Sequence, residues 1–182
     1  MIDRLPPGKA GIHFMPEGNI PLPILPAQVD LPTIFQGREV QQSRIDILDL
    51  GAGTGRLTLL LAPRAGSIRS FDVSAEMLRV CRERLVASGL SNWQVDVADH
   101  RQLPVPDHSA DLTVSGWSVS YLAVWNQENG AAELDKWLAE MKRVLRPGGT
   151  IILFESLGTG NETPVRLEHV ESTYQWLDVN GF

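Results

Sequence analysis

The stretch Ile47-Leu48-Asp49-Leu50-Gly51-Ala52-Gly53-Thr54-Gly55-Arg56 joins an apolar run and a carboxylate to three alternating glycines, and its chemistry is that of exposed main chain. In a strand-to-helix turn of this type Gly51 permits the sharp bend, Gly53 lets a ligand reach backbone amides, and Gly55 lets the helix lie close to the strand. Arg56 occupies the place where a dinucleotide fingerprint needs Gly or Ala, which argues against a nicotinamide or flavin cofactor. Asp72 and Asp99 fall, like Asp49, at or just beyond the ends of β-type runs. Each has a local role open to it besides a ligand: loop amides for Asp49, a helix start for Asp72, a turn for Asp99. Trp117 and Tyr121 can line a pocket or pack in the core, whereas Trp125 and Trp137 read as packing residues. His13, His108, His169 and Tyr121 are unranked candidates for a general base.

These residues need a scaffold, and the hydrophobic pattern supplies one. Strands are expected at 45–50, 67–72, 93–97, 111–115 and 150–155, separated mostly by helices. The clearest helix has Ser74 as N-cap, carries Met77, Leu78, Cys81 and Leu85 at helical spacing, and ends at Gly89. Other helices are expected over 33–42, 57–62, 131–145 and 164–182, the third being ended by Arg146-Pro147-Gly148-Gly149. Parallel neighbours need crossover connections, so this alternation predicts an α/β fold: a three-layer αβα sandwich around a mostly parallel sheet. Ligands then bind beyond the carboxyl ends of the strands.

Seven of the 12 prolines fall in the first 32 residues, so residues 1–31 are expected to form an irregular or extended arm and 32–182 the domain proper. With 182 residues the domain can bury a core without disulfides, and Cys81, the lone cysteine, fits a reducing, cytoplasmic setting. A net charge of −6 with no basic patch argues against nucleic acid, and no apolar run is long enough to span a membrane.

The glycine turn and its preceding acid resemble the first motif of class I S-adenosylmethionine-dependent methyltransferases, a Rossmann-like family. Phe71-Asp72-Val73-Ser74 resembles the acidic end of the family's second strand, and Val97-Ala98-Asp99-His100 the loop after its third. Leu103-Pro104 continues that likeness; Ala110 to Ser115 resembles the fourth strand, and Met141 to Glu155 the following helix, Pro-Gly-Gly turn and fifth strand. The resemblance implies S-adenosylmethionine as cofactor and a sheet order of 3-2-1-4-5. It implies binding by Asp49, Gly51, Ala52, Gly53, Gly55, Asp72, Val73, Asp99, His100 and Ser115. In that arrangement Asp49 takes the methionine amino group, Asp72 the ribose hydroxyls and Asp99 the adenine amino group, with a substrate pocket at Trp117 and Tyr121.

Departures from the family narrow the acceptor. The segment Ser115-Gly116-Trp117-Ser118 lacks the Asp/Asn-Pro-Pro-aromatic motif of members that methylate exocyclic amines of bases or amide side chains, and Cys81 lies on a helix, away from the place of a cytosine-C5 nucleophile. A small-molecule methyl acceptor is expected, with no metal. The family's sixth and seventh strands have no counterpart, as in a C-terminally truncated domain, so the apolar fifth strand needs a cover: the N-terminal arm or a second subunit of a homo-oligomer. A non-catalytic S-adenosylmethionine-binding scaffold is the alternative reading.

Overall fold

The computed structural model describes residues 11–15, 45–126, 128–156 and 170–180. Six strands form one sheet: β1 (Gly11–Met15), β2 (Asp46–Leu50), β3 (Ser67–Asp72), β4 (Trp93–Val97), β5 (Ala110–Gly116) and β6 (Leu145–Ser156). Its order is β1-β6-β5-β2-β3-β4, and every pairing is parallel. The five strands expected from sequence thus stand in the order 3-2-1-4-5. The helices are α1 (Arg56–Leu61), α2 (Ala75–Ala87), α3 (Ser120–Trp125), α4 (Gly130–Val144) and α5 (Glu171–Val179).

The central strands are apolar along their length because both faces are covered. On one face Ile47, Ile68, Leu112, Val114 and Phe154 pack with Leu57 and Leu61 of α1, while Leu78, Cys81 and Leu85 of α2 close on Val95. On the other face Leu48, Leu50, Phe71 and Leu153 meet Leu134, Trp137 and Met141 of α4 and Tyr174 and Leu177 of α5. Two layers of helix therefore hold β2, β3 and β5 rigidly, and the loops that follow their carboxyl ends inherit that rigidity. Trp137, with no exposed surface, is the packing residue it was expected to be.

Four local expectations change. Within the arm, Gly11–Met15 is a regular strand paired along Ile152–Ser156, so the chain itself covers the outer edge of β6. The expected turn at Arg146–Gly149 lies inside β6: Ala110 faces Leu145 but Leu112 faces Thr150, so the extra residues bulge out with Gly148 at φ 78°. Helix α3 was not anticipated. Met77, expected on the buried stripe of α2, is 48% exposed. The expected helix over 33–42 lies outside the described residues, and of the expected helix at 164–182 the described part is α5.

Candidate functional site

The turn between β2 and α1 is held from below by β3. Gly51 and Ala52 both donate their amides to the Phe71 carbonyl, at 2.9 and 3.0 Å. Gly53 donates to Asp72 Oδ2 and Ser74 to Asp72 Oδ1, each at 2.8 Å. One carboxylate therefore ties the glycine turn to the start of α2, where the Ser74 hydroxyl accepts from Met77 as the expected N-cap. Each Asp72 oxygen retains a further acceptor position. Gly53 has φ 54°, and a Cβ there would meet nothing within 4 Å, so the space above this turn is open.

That space is a cavity of about 640 Å³ over the carboxyl ends of β2, β3, β4 and β5. Asp49, Gly51, Ala52, Gly53, Asp72, Val73, Asp99 and His100 line it, as do Trp117 and Tyr121. The other two expected cofactor contacts stand outside its wall. Ser115 is buried, and its hydroxyl donates to the Leu50 carbonyl at 3.1 Å and meets Ser118 Oγ at 2.6 Å, which ties β5 to the end of β2. Gly55 is needed for packing, but against α2 rather than the strand: a Cβ at this position would lie 2.6 Å from Cys81 Sγ.

The acids differ in environment. Asp49 is buried and accepts from Thr58 Oγ1 at 2.6 Å, with Ser70 Oγ a further 2.9 Å from that hydroxyl. Burial pushes its pKa up to about 6 against the pull of the Thr58 bonds, and the Asp72 charge adds to the rise. Asp99 is held low by its pair with Arg101, which also bridges to Glu133. Burial lowers the pKa of His100, whose Nδ1 is enclosed without a hydrogen-bond partner.

The opposite wall is aromatic. Trp117 turns out of β5 at φ 54°, donates its amide to Phe154 at 2.7 Å and stacks on that ring at 6.2 Å. Arg56 lies over its indole, 5.3 Å from the centroid. Tyr121 stacks on Trp125 at 5.0 Å, and the two are 50% and 70% exposed. Trp125 is therefore part of the cavity wall and not of the core. Its signal was the four-residue spacing of Tyr121 and Trp125, which puts the two rings on one side of α3. Arg56 was weighed only as a break in a dinucleotide motif. Of the base candidates Tyr121 alone is in the wall: His108 bonds the Leu145 carbonyl away from it, His169 is outside the described residues, and of His13 only the backbone in β1 is described.

An open parallel sheet with a glycine turn and strand-end acids around one cavity defines a doubly wound nucleoside-binding architecture. The sequence pattern of the methyltransferase domain family matches residues 48–153, and the chain belongs to that family. It is 36% identical over 139 residues to the ubiquinone/menaquinone biosynthesis C-methyltransferase UbiE of Methylococcus capsulatus, covering 74% of this chain and 49% of that protein. It is 34% identical over 114 residues to the demethylmenaquinone methyltransferase of Symbiobacterium thermophilum, covering 60% and 42%. The chain thus spans less than half the length of these curated relatives. A solved S-adenosylmethionine-dependent methyltransferase from Clostridium acetobutylicum superposes with a TM-score of 0.53 at 28% identity, over 59% of this chain and 41% of that one.

The residues present suit that cofactor. A cradle open above Gly53, two carboxylates with acceptor capacity left, and a volume in the range of small-molecule sites fit a cationic nucleoside with a diol.

Proposed function

We propose that the domain, its sheet completed by the strand Gly11–Met15, binds S-adenosylmethionine in this cavity and methylates a small-molecule acceptor seated against Trp117 and Tyr121. One observation carries the reading: the open glycine turn and the carboxylates of Asp49 and Asp72 share a cavity with an aromatic wall. The cofactor supplies an electrophilic methyl carbon, which an acceptor displaces in line. Asp72 offers its remaining acceptor positions to ribose hydroxyls, and Asp49 offers a carboxylate to the ammonium group. Val73 and Met77, both exposed at the cavity mouth, supply apolar surface to the base, beside Asp99. Trp117, Tyr121 and Trp125 position the acceptor, so most of the rate comes from proximity.

The names of the UbiE-type relatives support a ring-bearing acceptor and methylation at carbon. We propose a cytoplasmic setting for this activity, which the free thiol of Cys81 supports.

Calorimetry with S-adenosylmethionine, S-adenosylhomocysteine and NAD tests the first half of the proposal. Binding of the first two is expected, and binding of NAD alone would defeat it. Release of S-adenosylhomocysteine above the hydrolysis background, screened across acceptors, separates an enzyme from a non-catalytic binding domain.

A further inference from the structure

The cavity is divided by charge. Asp49, Asp72 and Asp99 lie on the side of the glycine turn and the β3 and β4 ends, whereas on the aromatic side the cation among the described residues is Arg56. Arg101, Arg143 and Arg146 are each bonded to two carboxylates. Arg56 is exposed, and among the described residues its side chain has no ion pair and no hydrogen bond, while its guanidinium lies over Trp117. Its N–H donors are therefore open to a ligand, with the indole face beside the guanidinium. A guanidinium beside exposed aromatic rings is a receptor for a flat anion: the exposed Tyr121–Trp125 pair takes the apolar face and the fork takes two oxygens.

Resting on the reading above, we infer that the methyl acceptor is a planar aromatic molecule that binds as an anion, its carboxylate or ionised phenol held by Arg56 with its ring against Trp117 and Tyr121. The wall's chemistry agrees with this. Among the described residues, the aromatic side of the cavity holds no carboxylate and no imidazole to take a proton. An acceptor that arrives deprotonated needs neither for the transfer itself. When an ionised phenol attacks through a ring carbon, that carbon's electron pair forms the bond to the methyl carbon, and the carbon–sulfur pair leaves on sulfur as a neutral thioether. Opposite charges cancel in that step, which the apolar wall favours, and the ring proton at the methylated carbon then passes to water as the ring regains its aromaticity.

The test uses the whole chain saturated with S-adenosylhomocysteine and two probes of one shape, 6-hydroxy-2-naphthoate and its uncharged amide, titrated by calorimetry. The acid is expected to bind on the order of tenfold more tightly than the amide, as one charge-assisted pair provides, and R56Q should remove that preference. S-adenosylhomocysteine itself should bind R56Q as it binds the parent chain, which also shows the variant folded. Equal binding of acid and amide, binding of neither, or a preference that survives R56Q overturns the inference while leaving the cofactor site standing. Loss of S-adenosylhomocysteine affinity in R56Q overturns it too, by giving Arg56 to the cofactor's own carboxylate. Failure of the parent chain to bind S-adenosylhomocysteine defeats the underlying reading and this one with it.

Discussion

Asp72 accepts the amide of Gly53 through one carboxylate oxygen and the amide of Ser74 through the other, both at 2.8 Å, so one side chain fixes the glycine turn and the first turn of α2 together. Alanine at 72 leaves two amides without their acceptor and removes the oxygens available to a ribose. Asp72→Ala is expected to weaken S-adenosylhomocysteine binding by about 1 to 3 kcal/mol, the usual cost of leaving donors unpaired. Asp72→Asn, with one acceptor oxygen left, should fall between. An unchanged dissociation constant in the alanine variant would remove Asp72 from the site.

Gly55 makes a sharper structural prediction. At φ 83° a side chain is strained, and its Cβ would sit 2.6 Å from Cys81 Sγ on the neighbouring helix. Gly55→Ala should cost about 2 to 5 kcal/mol, the sum of a left-handed backbone and overpacking. The Gly55→Ala/Cys81→Ala double variant should regain the overpacking share and keep the backbone share. Urea unfolding of the two singles and the double measures the coupling directly; strict additivity would show that Cys81 is not what Gly55 makes room for.

What the sequence disclosed follows from how local each signal is. Strands β2 and β5 were legible because strands covered on both faces read as continuous apolar runs, and Ser74 announced α2 because a cap acts within three residues. Gly55 and Ser115 were recognised by type but given the wrong neighbours, since Cys81 and the Leu50 carbonyl reach them only through tertiary packing. Helix α3 escaped notice because it is short, has no side-chain cap of its own, and leaves Tyr121 and Trp125 exposed to the cavity. Its amide acceptor, Glu155, comes from the far end of β6. Pairing of Gly11–Met15 with β6 likewise has no local signature in a proline-rich arm.

Glu155 is accordingly the residue through which β6 sets the aromatic wall. It is buried, accepts the Ser120 amide at 3.2 Å, and has its pKa raised by burial against the pull of Ser120 and Val119. Glu155→Ala should destabilise the fold by about 1 to 3 kcal/mol by orphaning that amide, and Glu155→Gln, whose side-chain carbonyl can still accept, should cost less. Because Tyr121 follows Ser120 directly, the alanine variant should also disturb the Tyr121–Trp125 pair. A change in tryptophan fluorescence in the folded state checks this, and an unaltered spectrum with unaltered stability would deny Glu155 the role.

Asp49 gives the site a pH dependence whose sign is fixed by burial. Its carboxyl ionises near 3.8 in an open chain and near 6 when folded. Between those values the folded protein holds a proton that the unfolded chain has lost, so this group's contribution to stability declines from about pH 4 to about pH 6 and is level above. The difference amounts to roughly 3 kcal/mol. Asp99 and Glu140, held low by arginine partners, act in the opposite sense on acidification, so the parent chain alone shows only their sum. Asp49→Asn isolates the term: it still accepts from Thr58 but cannot ionise, and it should match the parent near pH 4 and exceed it in stability at pH 8. Ligand binding should run the other way. An ammonium group beside Asp49 favours the ionised form, so parent-chain affinity for S-adenosylhomocysteine should fall as pH drops below 6, with proton release on binding. The asparagine variant should bind more weakly at pH 8 and lack this dependence. Calorimetry in two buffers of different ionisation enthalpy counts the protons, and equal proton release from both proteins would place the titrating group elsewhere than Asp49.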